Sequence, residues 1–169
     1  MKHVFFDMDG TLTEWREIAD EAELYRRNYF LSLRPNEDVI ESARKLSEAG
    51  EAVYILSCVL TDSPYAKEEK EAWLRKYAPF IPEEHWLFVP FGTSKPRFLT
   101  ERLGIPALTS NEILVDDYSA NLRDWTENHG LAVKLMNGKN GTKGTWQGLR
   151  VSMENAAGKL SELLEKAAA

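Results

Sequence analysis

Two acidic pairs dominate the chemistry written into this 169-residue chain. The first, Asp7-Met8-Asp9, follows Val4-Phe5-Phe6 directly and precedes Gly10-Thr11-Leu12. The second, Asp116-Asp117, follows Ile113-Leu114-Val115. In both, an apolar run of the kind that forms a strand buried on two faces stops in carboxylates. Each pair alone has an ordinary explanation. Asp7 and Asp9 could be a solvated turn, and Asp116 and Asp117 could be favourable charge ahead of a helix that Tyr118 begins. Together they would gather four carboxylates at the end of a sheet where open α/β folds build their sites. Such repulsion is tolerable with a cation among them, and hard oxygen ligands suit Mg²⁺.

Two further positions fit a phosphate ester. Ile55-Leu56-Ser57-Cys58 brings a hydroxyl to a strand end, where it can donate to a phosphoryl oxygen. Cys58 adjoins it at the same expected phosphate site; as a nucleophile it lacks a basic partner and reads as a small inert thiol. Lys95, at the loop-to-helix junction Gly92-Thr93-Ser94-Lys95-Pro96, can pair with Asp7 or Asp116 and neutralise a phosphate. Lys70 and Arg97 are weaker rivals for that task.

The elements that must position these groups alternate strand and helix. Apolar runs lie at Val4–Phe6, Ala52–Leu56, Trp86–Val89, Ile113–Val115 and Leu131–Leu135. Between them, Asn36 can cap a helix carrying Val39, Ile40, Ala43 and Leu46 that ends near Gly50. Ser63-Pro64 starts a second helix, Ser94-Lys95-Pro96 a third, and Tyr118 to His129 is a fourth, closed by Gly130. Leu160 to Ala169 reads as a frayed helix end. This order predicts an α/β fold with a mostly parallel sheet and one domain over 1–169. Two segments break the rhythm. Residues 15–35, with Trp15, Tyr25, Tyr29 and Phe30, read as a small helical cap above the sheet. Asn137 to Gly148 holds four glycines and reads as turns with a hairpin around Trp146. No GxxxxGK[ST] occurs, so this Gly-rich stretch reads as a loop rather than a phosphate cradle.

Composition narrows the classes. Lys plus Arg is 21 and Asp plus Glu is 27, a net charge of −6, which argues against sequence-independent nucleic-acid binding. No apolar run reaches the ~18–20 residues of a membrane span, and the N-terminal apolar stretch is too short for a signal peptide. A single cysteine excludes an internal disulfide framework and fits a reducing, cytoplasmic setting.

The octet Phe5-Phe6-Asp7-Met8-Asp9-Gly10-Thr11-Leu12 resembles the first motif of the haloacid dehalogenase superfamily, whose phosphatases carry the order Asp7/Asp9, Ser57, Lys95, Asp116/Asp117. The resemblance implies a Rossmann-like sheet with a cap insert. A finer likeness, to the 5′(3′)-deoxyribonucleotidases and their bacterial and phage relatives, lies in several stretches. These are Phe30-Leu31-Ser32-Leu33-Arg34-Pro35-Asn36, Ser57 to Ser63-Pro64-Tyr65, Lys70-Glu71-Ala72-Trp73, Val115-Asp116-Asp117-Tyr118 with Asn121, and Gly141-Thr142-Lys143-Gly144-Thr145-Trp146. The chain departs from the animal enzymes in its shorter cap and in Thr11 after Gly10.

What the resemblance implies is a Mg²⁺-dependent phosphomonoesterase acting on a small phosphate ester, most readily a nucleoside monophosphate, with a homodimer left open. Asp7 would be the nucleophile and Asp9 the general acid and later the base. Mg²⁺ would be held by Asp7, the Asp9 carbonyl and Asp116, with Asp117 acting through a water. Ser57, Cys58 and Lys95 would hold phosphoryl oxygens. Trp15, six residues after Asp9, stands where these relatives carry an aromatic beside the base, and Tyr29 and Phe30 would form the other wall. Asp9 argues against dehalogenation, which needs no acid there. Two alternatives stay open: a phosphatase of broad or sugar-phosphate specificity, and a non-catalytic domain phosphorylated on Asp or serving only to bind.

Overall fold

The computed structural model describes residues 1–140 and 145–167. Six strands form one sheet: β1 (His3–Phe6), β2 (Ala52–Val59), β3 (Trp86–Pro90), β4 (Glu112–Asp116), β5 (Leu131–Met136) and β6 (Leu149–Ser152). Their order is β3-β2-β1-β4-β5-β6, and every pairing is parallel. The helices are α1 (Glu37–Glu48), α2 (Ala66–Tyr77), α3 (Lys95–Leu103), α4 (Ser119–Glu127) and α5 (Ala156–Ala167). Alternation along the strands divides the core. Phe6, Ile55, Val115 and Val133 pack with α1, α2 and α5, whereas Phe5, Leu56, Leu114 and Ala132 pack with α3 and α4. Both faces are covered, as parallel strands require. Among the described residues no helix is long and apolar enough to cross a membrane.

Register fixes the chemistry. Phe6 is level with Ile55 on one side and Val115 on the other. One step further, the Asp7 amide donates to the Val115 carbonyl at 3.0 Å, so the two acidic pairs leave adjacent strands at the same height. The chain then makes one wide helical turn, Met8–Leu12, in which Gly10 has φ +79°. A Cβ there would lie 2.5 Å from Asp117 Oδ2, so only glycine lets the turn pass beneath the second acidic pair.

The structure departs from the sequence expectations in four places. Among the described residues the stretch before β6 makes no hairpin with β5: β6 runs parallel to it, and Trp146 is buried against the sheet with its Nε1 donating to the Leu149 carbonyl at 2.9 Å. Residues 141–144 of that stretch lie outside the described residues. The cap is mostly not helical. It holds one 3₁₀ turn, Glu21–Tyr25, capped by Asp20, and the chain reverses at Asn28, which has φ +66°. With only Phe30 and Leu33 buried, it lacks the apolar stripe that would hold a helix down. Asn36 starts α1, but its Nδ2 donates to the Thr11 carbonyl at 2.8 Å instead of its side chain capping the helix. Finally, β2 runs on to Val59, so Ser57 lies inside the strand and not at its end.

Both ends of the cap are tied together. Thr13 and Pro35 form an antiparallel bridge, the Glu14 amide donates to Arg34 O at 2.8 Å, and the Asn36 amide donates to Leu12 O at 2.7 Å.

Candidate active site

Asp7, Asp116 and Asp117 converge above the carboxyl ends of β1 and β4. All three are buried, and each offers a carboxylate oxygen within 4.8 Å of the others. Lys95 is buried among them. Its Nζ donates to Asp7 Oδ1 at 2.8 Å and to Asp116 Oδ2 at 2.7 Å, so it pairs with both acids between which the sequence left a choice. Lys95 is the first residue of α3, where the helix dipole disfavours a cation; the two carboxylates offset that. Burial works against its charge, but Asp116 and Asp7 hold its proton more firmly than an ordinary lysine's. Asp116 is further fixed by the Tyr118 amide at 2.8 Å and Asn121 Nδ2 at 2.9 Å. Arg97 is exposed and pairs with Glu101, away from the acids.

Asp9 turns to a different cation. Lys70, in α2 and fully buried, donates from Nζ to Asp9 Oδ2 at 2.5 Å, Ser57 Oγ at 3.0 Å and the Cys58 carbonyl at 2.7 Å. Asp9 Oδ1 is buried and has no hydrogen-bond partner among the described residues. Ser57 therefore stands behind Asp9 on Lys70. Cys58 is partly exposed, and burial pushes its thiol up from the ordinary value, as expected of an inert thiol.

Two adjoining cavities meet at Asp9. The acidic one, about 670 Å³, contains Asp7, Lys95, Asp116 and Asp117. The apolar one, about 250 Å³, is lined by Trp15, Tyr29, Phe30, Leu24, Leu60 and Lys70 among others. Asp9, Trp15, Cys58 and Phe91 line both, and Ser57 lines neither. The three aromatic residues expected at a base pocket thus share one cavity. Trp15 is 43% exposed and free to receive a ring, whereas Phe30 is buried beneath Tyr29 with ring centroids 5.0 Å apart.

Sequence reasoning missed part of the site. Asn137 Nδ2 donates to Asp117 Oδ2 and to the Gly10 carbonyl, both at 2.9 Å, and Asn140 Nδ2 donates to Asp117 Oδ2 as well. Lys134, buried on β5, donates to the Asp117 carbonyl at 2.7 Å and to Ser119 Oγ at 2.9 Å. Phe91, 75% exposed on the loop after β3, joins the mouth of both cavities.

The donor set fits a hard divalent cation: three buried carboxylates, against the Lys95 ammonium between two of them and the Lys134 ammonium on the Asp117 carbonyl, leave uncompensated negative charge and oxygen ligands. Burial, with Asp116 and the other acids adding to it, pushes the Asp7 carboxyl up to about 8 against the pull of Lys95. Burial and Asp116 push Asp117 up to about 7 despite its hydrogen bonds from Asn140 and Asn137. For an acid raised on folding, the folded state holds a proton the unfolded state lacks between the two pKa values. Stability in metal-stripped protein then declines as pH rises from about 4 to about 8. Metal binding needs the deprotonated carboxylates and removes this loss. The gain in Tm on adding Mg²⁺ is therefore expected to be small near pH 5 and large near pH 8, as thermal melts with and without EDTA would show. A pH-independent gain would contradict the assignment.

Solved structures with this fold include two D,D-heptose 1,7-bisphosphate phosphatases. The one from B. bronchiseptica, complexed with magnesium and phosphate, is 15% identical, with a TM-score of 0.70 covering 98% of this chain and 99% of that one. The one from Burkholderia thailandensis is 13% identical, with a TM-score of 0.65 over 97% and 99%. The cobalt-bound deoxy-D-mannose-octulosonate 8-phosphate phosphatase from Haemophilus influenzae is 18% identical, with a TM-score of 0.57 over 99% and 88%. At these identities the likeness concerns the fold. No curated protein sequence matches the chain. The sequence model of the family described as 5′ nucleotidase, deoxy (pyrimidine), cytosolic type C protein matches residues 8–140, a stretch holding Asp9, Lys70, Lys95, Asp116 and Asp117. By that match over most of its length, the chain belongs to this family.

Proposed function

We propose that the protein hydrolyses nucleoside 5′-monophosphates, deoxypyrimidine ones foremost, through an aspartyl-phosphate. The observation that carries this reading is the position of Asp9 in the wall between an acidic cavity suited to the phosphoryl group and an apolar, aromatic cavity suited to a base. In that arrangement the bond to be broken lies beside the acid. Asp7, with Oδ1 held by Lys95, presents its other oxygen to phosphorus. As the Asp7–phosphorus bond forms, the ester P–O bond breaks and the leaving oxygen takes the proton of Asp9. Asp9, now a carboxylate, takes a proton from water; the water oxygen attacks phosphorus, the bond to Asp7 breaks and phosphate leaves. Lys95 stays charged throughout and faces the phosphoryl oxygens as negative charge spreads over them. A divalent cation held by Asp7, Asp116 and Asp117 would supply the remaining neutralisation of those oxygens.

Phosphate release from a panel of nucleoside monophosphates and sugar phosphates tests the substrate. Nucleoside 5′-monophosphates should lead; equal or faster release from sugar phosphates would leave a phosphatase of other specificity. Trp15 gives a sharper measure. Stacking contributes ~1–3 kcal/mol per base in single-strand binders. Trp15→Ala is then expected to lower kcat/KM for dTMP or dUMP by ~5–150-fold, from that same energy, with little change for p-nitrophenyl phosphate. Equal losses on both would assign Trp15 to holding the cap instead.

A further inference from the structure

We infer that Lys70 is the positioning residue for the general acid, and that α2 ties this position to the seating of the cap. The inference rests on the reading of Asp9 as acid.

An ammonium can only donate. The Lys70 Nζ therefore claims Asp9 Oδ2, and Oδ1, which has no partner among the described residues, is the oxygen left to carry the proton. The same ammonium donates to the Cys58 carbonyl and Ser57 Oγ, which root it in β2. Three bonds from one buried cation fix the carboxyl plane of Asp9 relative to the strand. Charge-assisted bonds of this kind are shorter and stronger than neutral ones. Nothing in the geometry gives Lys70 a place among the phosphoryl ligands: it lines the apolar cavity and is absent from the wall of the acidic one.

The residue before it does the complementary task. Glu69, also buried, accepts from the backbone amides of Asn28 at 2.5 Å, Phe30 at 3.0 Å and Leu31 at 3.4 Å. Converging amides of this type make an anion seat. One turn on, Trp73 Nε1 donates to the Leu33 carbonyl at 2.9 Å. The cap is thereby pinned so that the Phe30 ring lies 4.8 Å from Lys70 Nζ, shielding the ammonium from water and strengthening its hold on Asp9. Two successive residues of one helix thus seat the cap and aim the acid.

A pair of aryl phosphates of similar shape separates this role from phosphate binding. Phenolate is a poorer leaving group than p-nitrophenolate and depends more on a proton from the acid. In Lys70→Met, kcat/KM for phenyl phosphate is expected to fall ~10–100-fold, a part of the full worth of general acid catalysis, and for p-nitrophenyl phosphate only a few-fold. Lys70→Gln, a shorter neutral donor, should fall between wild type and Lys70→Met and serves if Lys70→Met does not fold. Equal losses on both substrates in either variant would overturn the inference. Asp9→Asn is the control. If it shows the leaving-group discrimination and Lys70 variants do not, only the role of Lys70 fails. If Asp9→Asn itself shows none, the acid assignment fails. The double variant should be no worse than Asp9→Asn alone on phenyl phosphate.

Discussion

Asp7→Asn is expected to lose turnover by on the order of 10⁴–10⁶-fold, the scale seen when a nucleophile is removed from a catalytic unit. An amide neither attacks phosphorus at a useful rate nor gives hard anionic ligation. The fold should survive. Burial and the neighbouring acids push the Asp7 carboxyl up to about 8, so near that pH its charge destabilises the metal-free protein. Lys95 keeps Asp116 as a partner when Asp7 is neutralised. Metal-free Asp7→Asn should therefore melt no lower than wild type at pH 8, while p-nitrophenyl phosphate turnover disappears. Activity within tenfold of wild type would rule out the covalent route.

Lys95→Met should be severe in both stability and activity. The variant removes the ammonium that sits 2.8 Å from Asp7 and 2.7 Å from Asp116, and leaves two buried carboxylates facing each other. Breaking a buried pair from one side costs ~3–5 kcal/mol, which in a domain of this size is a fall in Tm of ~6–20 °C. The fall should be larger at pH 8 than at pH 5, because protonation of Asp7 relieves the repulsion at the lower pH. Turnover with Mg²⁺ should drop ~10²–10³-fold, the size of losing one preorganised donor to a developing anion. A Tm unchanged at pH 8 would mean that Lys95 is not the compensating charge described above.

The gathering of the acids with Lys95 was legible at each junction of an apolar run and a polar residue. Phe6 to Asp7 and Val115 to Asp116 are such junctions, and Lys95 beside Pro96 announces a helix start. The places of the first five strands along the chain follow from the same runs. What was hidden lies inside elements or depends on contacts between distant segments. Lys70 was legible only as a rival to Lys95 for the phosphate, and its pairing with Asp9 was not: Glu68-Glu69-Lys70-Glu71 in a linear reading is a solvated helix face, and only the packing of α2 under the cap buries Glu69 and Lys70 together. Lys134 interrupts Leu131–Met136 without changing its strand character, and its partner is a carbonyl the sequence cannot reveal. Asn137 and Asn140 belong to a stretch whose glycines suggested only turns. β6 is short and amphipathic, and its parallel pairing with β5 follows from tertiary packing rather than a local turn signal.

The paired ends of the cap have a further consequence. Because Thr13 bridges Pro35, and Leu12 and Asn36 are hydrogen-bonded, the scaffold sees residues 15–33 as a closed excursion that leaves and returns at one point. Changing the length of such an excursion perturbs little beneath it: doubling a flexible loop costs only ~0.6 kcal/mol in closure entropy. The sheet ends that carry Asp7, Asp116 and Asp117 would not register the change, and Asp9 would register it only through α2. The segment is in effect a graft site, at which the apolar cavity can be enlarged, narrowed or relined while Asp7, Asp116 and Asp117 keep their places, provided that the new segment still offers backbone amides to Glu69, a carbonyl to Trp73 and a ring to Lys70.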